Sequence, residues 1–117
     1  MTLSVQIFGT RKSSDTRKAQ RFFAERRIQV HFVDLMERAA SLGELRRFAQ
    51  KFGVRALIDP ESRRYREMGL TAAARSDDRW LDLLVEEPLL LRMPLVRQGH
   101  QLTVGPAEAE WREWTAR

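Results

Sequence analysis

The first 35 residues constrain the fold most strongly, because a strand, a helix and a second strand follow one another there. LSVQIF, residues 3–8, alternates apolar and polar side chains and predicts a strand that ends at Gly9 and Thr10. VHFVDL, residues 30–35, predicts the second strand. Between them, apolar side chains recur at helical spacing, at Ala19, Phe22, Phe23 and Ile28. Two short strands joined by a helix are typical of a parallel βαβ unit, so the sequence predicts an α/β fold.

The middle of the chain, from Met36 to about Glu87, is predicted to be mainly helical. One apolar stripe precedes a break at Gly53 and consists of Leu42, Leu45, Phe48, Ala49 and Phe52. SRRYREMGL predicts a short basic helix that ends at Gly69. SDDRWLDLLVEE predicts a longer helix, capped by Ser76 or Asp77 and ended by Pro88.

The last part of the chain predicts a β-hairpin and a closing helix. Pro94–Arg97 and Gln101–Val104 bracket a turn in which Gly99 supplies a positive φ. Pro106 suits the first turn of the final helix. Trp111 and Trp114 lie three residues apart on that helix, a spacing that favours docking on the sheet.

Composition narrows the class of protein. With 117 residues, of which 43% are hydrophobic and 32% charged, the chain suits one small globular domain. No apolar stretch approaches the roughly 20 residues of a membrane-spanning helix, and the N-terminus does not resemble a secretory signal, so a cytoplasmic location is expected. The absence of cysteine excludes disulfides, thiolate-ligated metals and a thiol nucleophile.

A net charge of +5, from 21 Lys and Arg against 16 Asp and Glu, favours anionic partners. The segment between the first strand and the first helix places Arg11, Lys12 and Arg17 beside helix-end amides, which suits a small oxyanion. The alternative is that Ser13 and Asp15 only cap the helix and that the cations form a solvated face. No P-loop or dinucleotide motif is present, so no nucleotide cofactor is predicted.

Other kinds of site are disfavoured. His31 and His100 have no acidic or histidine partner at metal-ligand spacing, so no metal site is predicted. A serine hydrolase is disfavoured because the G-x-S-x-G elbow is absent. Acidic residues interleave with the arginine pairs, which argues against nucleic acid as a partner.

The motif IFGTRKSSDTRKAQRFF, the strand ending in VDL, the segment LLLRMPLV and the QLTVG hairpin together resemble the arsenate reductase (ArsC) and Spx family. The stretch LIDPESRRYREMGL is similar to one sub-group, the arsenate reductase-related proteins. The resemblance implies a thioredoxin/glutaredoxin-like mixed sheet in a single domain, residues 1–117, with a helical insertion at about residues 36–88. It also implies an activity linked to glutathione and glutaredoxin.

The same resemblance implies roles for particular residues. Ser13 stands at the position of the family's nucleophilic cysteine, and Thr16 at that of the second cysteine. Pro94 resembles the cis-proline that faces the active-site loop, so we expect a cis Met93-Pro94 bond close to Ser13.

Two positions depart from the pattern of the reductases. An arginine that holds the oxyanion precedes the proline there, whereas Met93 stands here; Arg92, one residue earlier on an extended segment, points to the opposite face. Asp59 stands where a further family arginine is expected. Both changes weaken the prediction of arsenate reduction.

The leading interpretation is therefore a redox-inactive family member that acts by binding. Its binding surface would combine the loop from Gly9 to Arg17 with Pro94. The candidate residues for binding an anion or a partner are Arg11, Lys12, Arg17, Arg92, Met93 and Pro94. A small oxyanion, a glutathione-like thiol or a protein would be the partner, without a cofactor. One alternative is an Spx-like, transcription-linked interaction protein. Another is a genuine arsenate or thiol oxidoreductase, if Ser13 replaces a native cysteine.

Overall fold

The computed structural model describes residues 3–72 and 74–116, which form two compact units. The first unit contains the chain up to residue 38 and again from residue 93, and the second contains residues 39–92. In chain order the elements are β1 (Ser4–Gly9), α1 (Ser14–Glu25), β2 (Gln29–Asp34), α2 (Leu42–Phe52), α3 (Arg63–Glu67), α4 (Asp77–Glu86), β3 (Leu95–Gln98), β4 (Gln101–Val104) and α5 (Glu108–Thr115).

The first unit is built on a four-stranded mixed sheet with the strand order β2-β1-β3-β4. Strand β1 pairs in parallel with β2 and antiparallel with β3, and β3 forms a hairpin with β4. The parallel βαβ unit, the hairpin and the α/β class are thus confirmed. The limits of β1, β2 and β3 differ from the predicted limits by one residue, and those of β4 are as predicted. Gly99 adopts a φ of 61° in the hairpin turn, as the sequence predicts.

One face of the sheet carries the core of the first unit. Val5, Ile7 and Val96 on the strands lie against a helix-borne cluster made of Ala19, Phe22, Phe23 and Trp111. The Phe22 and Phe23 rings meet edge to face with centroids 5.1 Å apart, and both contact the indole of Trp111. Trp111 Nε1 donates to Thr103 Oγ1 over 2.8 Å, so its buried polar atom is satisfied. Trp111 is docked on the sheet as predicted, and Trp114 packs against the same core.

The start of the last helix differs from the prediction for Pro106. Helix α5 begins at Glu108 after Ala107, so Pro106 lies outside its first turn. The reason is a long-range contact: the Gly105 amide donates to the Pro94 carbonyl over 2.9 Å, and Gly105 has a φ of 71°. The chain is therefore still turning away from β4 when it reaches Pro106.

The second unit is mainly helical, in the region where the sequence predicts the insertion. Helix α2 begins with a capping box in which Ser41 and Glu44 each accept the other's backbone amide. Its stripe buries Leu45 and Phe48, but Phe52 is 38% exposed. Helix α2 ends at Phe52 and Gly53 takes a φ of 84°, so the predicted break at Gly53 is confirmed. Helix α4 is capped by Ser76, one of the two predicted residues, and buries Trp80, Leu81, Leu83 and Leu84.

A bidentate ion pair joins α3 to the end of α4 in the second unit. Arg64 Nε and Nη2 donate to the two carboxylate oxygens of Glu87 over 3.0 and 2.7 Å. The hydrogen bonds from Arg64 are the main cause that lowers the pKa of Glu87, and partial burial opposes them. Within the described residues, no helix is long and apolar enough to cross a membrane.

We predict that Glu87→Gln lowers the thermal stability at neutral pH and reduces its pH dependence in acid. Because folding lowers the pKa of Glu87, the stabilisation is complete above the ordinary glutamate pKa of about 4.3 and is lost as the pH falls through the folded value. The difference in Tm between the two proteins should shrink below that pH. Thermal unfolding followed by circular dichroism between pH 3 and 7 measures it. Exposed Glu86 is the matched control, and an equal effect of Glu86→Gln would contradict the assignment.

Candidate functional site

The loop of residues 10–13 connects the carboxyl end of β1 to the start of α1, and Ser13 closes it. The Ser13 hydroxyl accepts the backbone amide of Thr16 over 3.2 Å, and the Ser13 amide donates to the Thr10 carbonyl over 3.2 Å. Ser13 is therefore the N-cap of α1, with extended backbone angles. Its half-buried side chain lies at the positive end of the helix dipole, beside the backbone amides of the first turn.

Arg11 is held beside this helix start by residues of β2. Its Nε lies 3.4 Å from Asp34 Oδ2, and its guanidinium carbon lies 5.3 Å from the centroid of the Phe32 ring. The Asp34 side chain is only 10% exposed and also accepts the Met36 amide. Arg11 keeps 70% of its side chain exposed. The arginine is thus oriented from one side and open to solvent on the other.

The other two predicted cations differ from each other in their contacts. Arg17 Nη1 donates to the Arg11 carbonyl over 2.7 Å, which ties the first turn of α1 back to the loop. Lys12 is exposed and, among the residues that the structure describes, forms no ion pair or side-chain hydrogen bond. The structure therefore brings Arg11, Lys12, Ser13 and Arg17 together at one edge of the sheet.

Met93 and Pro94 lie at the same edge. The Met93-Pro94 peptide bond is cis, as the sequence predicts. Pairing of Phe8 with Leu95 places Pro94 beside Gly9, and Thr10 Oγ1 donates to Met93 Sδ over 3.7 Å. A thioether therefore occupies the side of the loop where the family resemblance implies an arginine.

Thr16 lies beneath the loop rather than on its surface. It is fully buried, and its Oγ1 has no hydrogen-bond partner among the described residues. The side chain packs against Gly9, where an added Cβ would meet Thr16 Oγ1 and lie 2.7 Å from its Cγ2. A buried hydroxyl at this position supports packing and is closed to any ligand that binds at the surface.

Arg92 belongs to the second unit and makes its contacts there. Its guanidinium donates to the Ile58 carbonyl over 3.3 Å, and its backbone amide donates to Leu57 over 2.7 Å. The Asp59 carboxylate accepts the Glu61 amide over 3.0 Å in a local turn. Both residues thus have structural contacts within their own unit.

Sequence reasoning missed Asp34, Phe32 and Thr10 as neighbours of the predicted cations. The available signal was the VDL at the end of β2: in a parallel pair the carboxyl ends of both strands reach the same edge. An acid that follows β2 must therefore lie near the loop that follows β1. Among the described residues, no group of three or more His, Asp or Glu could hold a metal ion.

Comparison with known proteins identifies the family. The model of the ArsC family matches residues 8–114. The chain belongs to the ArsC family. Among its relatives, the uncharacterized protein YusI of Bacillus subtilis is 26% identical over 95% of this chain and 98% of its own length. The global transcriptional regulator Spx 2 of Bacillus cereus is 23% identical over 97% of this chain and 88% of its own length.

A solved structure supports the same fold for this ArsC-family chain. An arsenate reductase from Vibrio cholerae superposes with a TM-score of 0.83 at 27% identity, over 97% of this chain and 98% of that chain. The mixed sheet with its βαβ unit and hairpin is therefore the thioredoxin-like fold of the arsenate reductases, as the sequence predicts.

We predict that Gly9→Ala destabilises the protein by about 1–3 kcal/mol, because the new methyl group overpacks against buried Thr16. Gly43→Ala in α2 is the matched control, since an added Cβ there meets nothing within 4 Å. That control should leave stability unchanged or raise it by about 0.5–1 kcal/mol. Urea unfolding measures both. The double variant Gly9→Ala with Thr16→Ala should recover part of the loss, and a larger loss would contradict the contact.

Proposed function

We propose that this ArsC-family protein is redox-inactive and acts by binding a small oxyanion at the loop of residues 10–13. The observation that supports the proposal is the Ser13 N-cap: a hydroxyl, hydrogen-bonded to the Thr16 amide, lies where the family resemblance implies the nucleophilic cysteine. The chain contains no cysteine that could take over that role.

The difference between a hydroxyl and a thiol decides the chemistry. At a helix start beside cations, a cysteine ionises near neutral pH and becomes a nucleophile. A serine hydroxyl needs an adjacent general base to be activated, and the other side chains of the loop, those of Thr10, Arg11 and Lys12, are not general bases. Ser13 therefore donates and accepts hydrogen bonds without forming a covalent adduct.

The charges at the loop suit an anion that binds reversibly. Arg11 and Lys12 are exposed beside the helix start, and Arg17 lies one turn into α1. Asp34 neutralises part of the Arg11 charge, and half-buried Asp15 lies in the first turn. The field at the loop is therefore moderately positive, which favours weak and exchangeable binding over a tightly held ion.

The first test measures turnover and binding on the same protein. Arsenate reduction coupled to glutathione and glutaredoxin should not exceed a blank without protein, while arsenate should shift the backbone amide signals of residues 13–15 in a saturable way. Arg11→Gln should weaken that binding about tenfold, because a charge-assisted contact is lost. Arg112→Gln on α5 is the control. Turnover above the blank, or equal effects of the two variants, would overturn the proposal.

We predict that Ser13→Cys creates a thiol that reacts with iodoacetamide about one pH unit or more below the range of an ordinary cysteine, whose pKa is about 8.5. The helix-end amides and the cations Arg11 and Arg17 stabilise the thiolate there. Ser76→Cys is the matched control, since Ser76 is also an N-cap but is followed by Asp77 and Asp78. Identical pH profiles for the two variants would show that the loop cations have no such effect.

A second candidate function is a protein-binding role linked to transcription. It is favoured by the relative Spx 2, a global transcriptional regulator whose similarity extends over 97% of this chain. Purified bacterial RNA polymerase is the probe: co-elution with the protein in gel filtration would support this role. If the protein acts only by binding an oxyanion, it should elute separately from the polymerase. The polymerase should then leave unchanged the shifts that arsenate causes in the amide signals of residues 13–15.

A further inference from the structure

A second group of hydrogen-bond donors lies at the opposite end of β1 from the loop. The side chains of Val5 and Ile7 face the core with α1, so Gln6 and Phe8 face the other side of the sheet. In the register of the sheet, Gln6 is flanked by His31 on β2 and by Arg97 on β3. Residues that pair in this way share a face, so the three side chains form one polar row.

The polar row borders a depression of about 210 Å³. Its lining consists of Ser4, Val5, Gln6, His31, Arg97 and Gly99. The next row on the same face is apolar and buried, with Phe8 between Val33 and Leu95. On this face of the sheet, the apolar row at Phe8 is therefore directly followed by the polar row at Gln6.

Among the described residues that line the depression, every polar side chain can donate a hydrogen bond and none is a carboxylate. Ser4 offers a hydroxyl, Gln6 an amide, His31 an imidazole N–H and Arg97 a guanidinium. Arg97 Nε donates to the Gly99 carbonyl over 2.9 Å, which fixes the guanidinium beside the hairpin turn and leaves its two Nη groups for another acceptor. Within the described residues, Ser4, Gln6 and His31 have no side-chain hydrogen bond.

We propose that this depression binds a small tetrahedral oxyanion of the sulfate or phosphate type. An oxyanion presents acceptors in several directions, which matches donors that converge from β1, β2 and β3. Arg97 supplies the compensating charge, and His31 contributes an N–H donor beside it. The site is separate from the loop of the proposed function and does not depend on it.

Sulfate is the probe of choice because its charge is constant between pH 5 and 8. In ¹H–¹³C spectra, sulfate should shift the His31 ring signals saturably, at constant ionic strength set with sodium chloride. His100, in the hairpin turn and outside the lining, serves as an internal control and should not respond.

Two arginine variants test the geometry. Arg97→Gln should weaken sulfate binding about tenfold, because it removes the charge-assisted donors. Arg21→Gln removes the same charge from the exposed side of α1 and should leave the binding unchanged. Acetate, which has one carboxylate and a single charge, should shift His31 less than sulfate at the same concentration.

The outcomes separate this proposal from the function of the loop. Equal responses of His31 and His100, equal effects of the two variants, or a non-saturable shift would overturn the oxyanion site. Failure of arsenate to affect residues 13–15 would count only against the loop. Because the reporters are different residues on one protein, a single set of samples distinguishes the two failures.

Discussion

Hydrogen bonding of β1 on both of its sides is the constraint on which the candidate site depends. Parallel pairing with β2 requires α1 to cross over between the two strands, so the start of α1 and the end of β2 reach the same edge as the end of β1. Antiparallel pairing with β3 starts that strand at this edge too. Ser13, Asp34 and Met93 meet there because each lies at, or within two residues of, the end of an element whose position depends on β1.

The chemistry of this edge follows from two side chains that do not carry charge. Ser13 gives the helix start a neutral cap, and Met93 gives the loop a sulfur acceptor for Thr10. The cations that remain, Arg11 and Arg17, are positioned by Asp34 and by the backbone of the loop. We propose that the fold of the arsenate reductases here carries a surface for reversible binding, because a shared fold does not by itself determine function.

The parts that the sequence predicts are those fixed by local patterns or by a motif. The periodicity of β1 and α1 predicts the βαβ unit, and the motif around Ser13 and Pro94 predicts the N-cap and the cis bond. Contacts between residues distant in sequence could not be predicted from local patterns. Examples are the hydrogen bond from the Gly105 amide to the Pro94 carbonyl, which precedes the start of α5, and the ion pair between Arg11 and Asp34. His31 illustrates a further limit. The lack of an acidic or histidine partner at metal-ligand spacing argued only against a metal, whereas the register of the sheet places His31 in a row with Arg97.

The two groups of donors lie at different positions along β1. Gln6 is the third of the six residues of β1 and lies about 10 Å from Gly9, at about 3.3 Å per residue. The Debye length at physiological salt is about 8 Å, so salt partly screens an anion at one group from the other. Their local charges also differ. Asp34 and Asp15 offset the cations of the loop, whereas none of the described residues that line the depression is a carboxylate. A small anion in the depression therefore meets the charge of Arg97 without an opposing carboxylate among those lining residues.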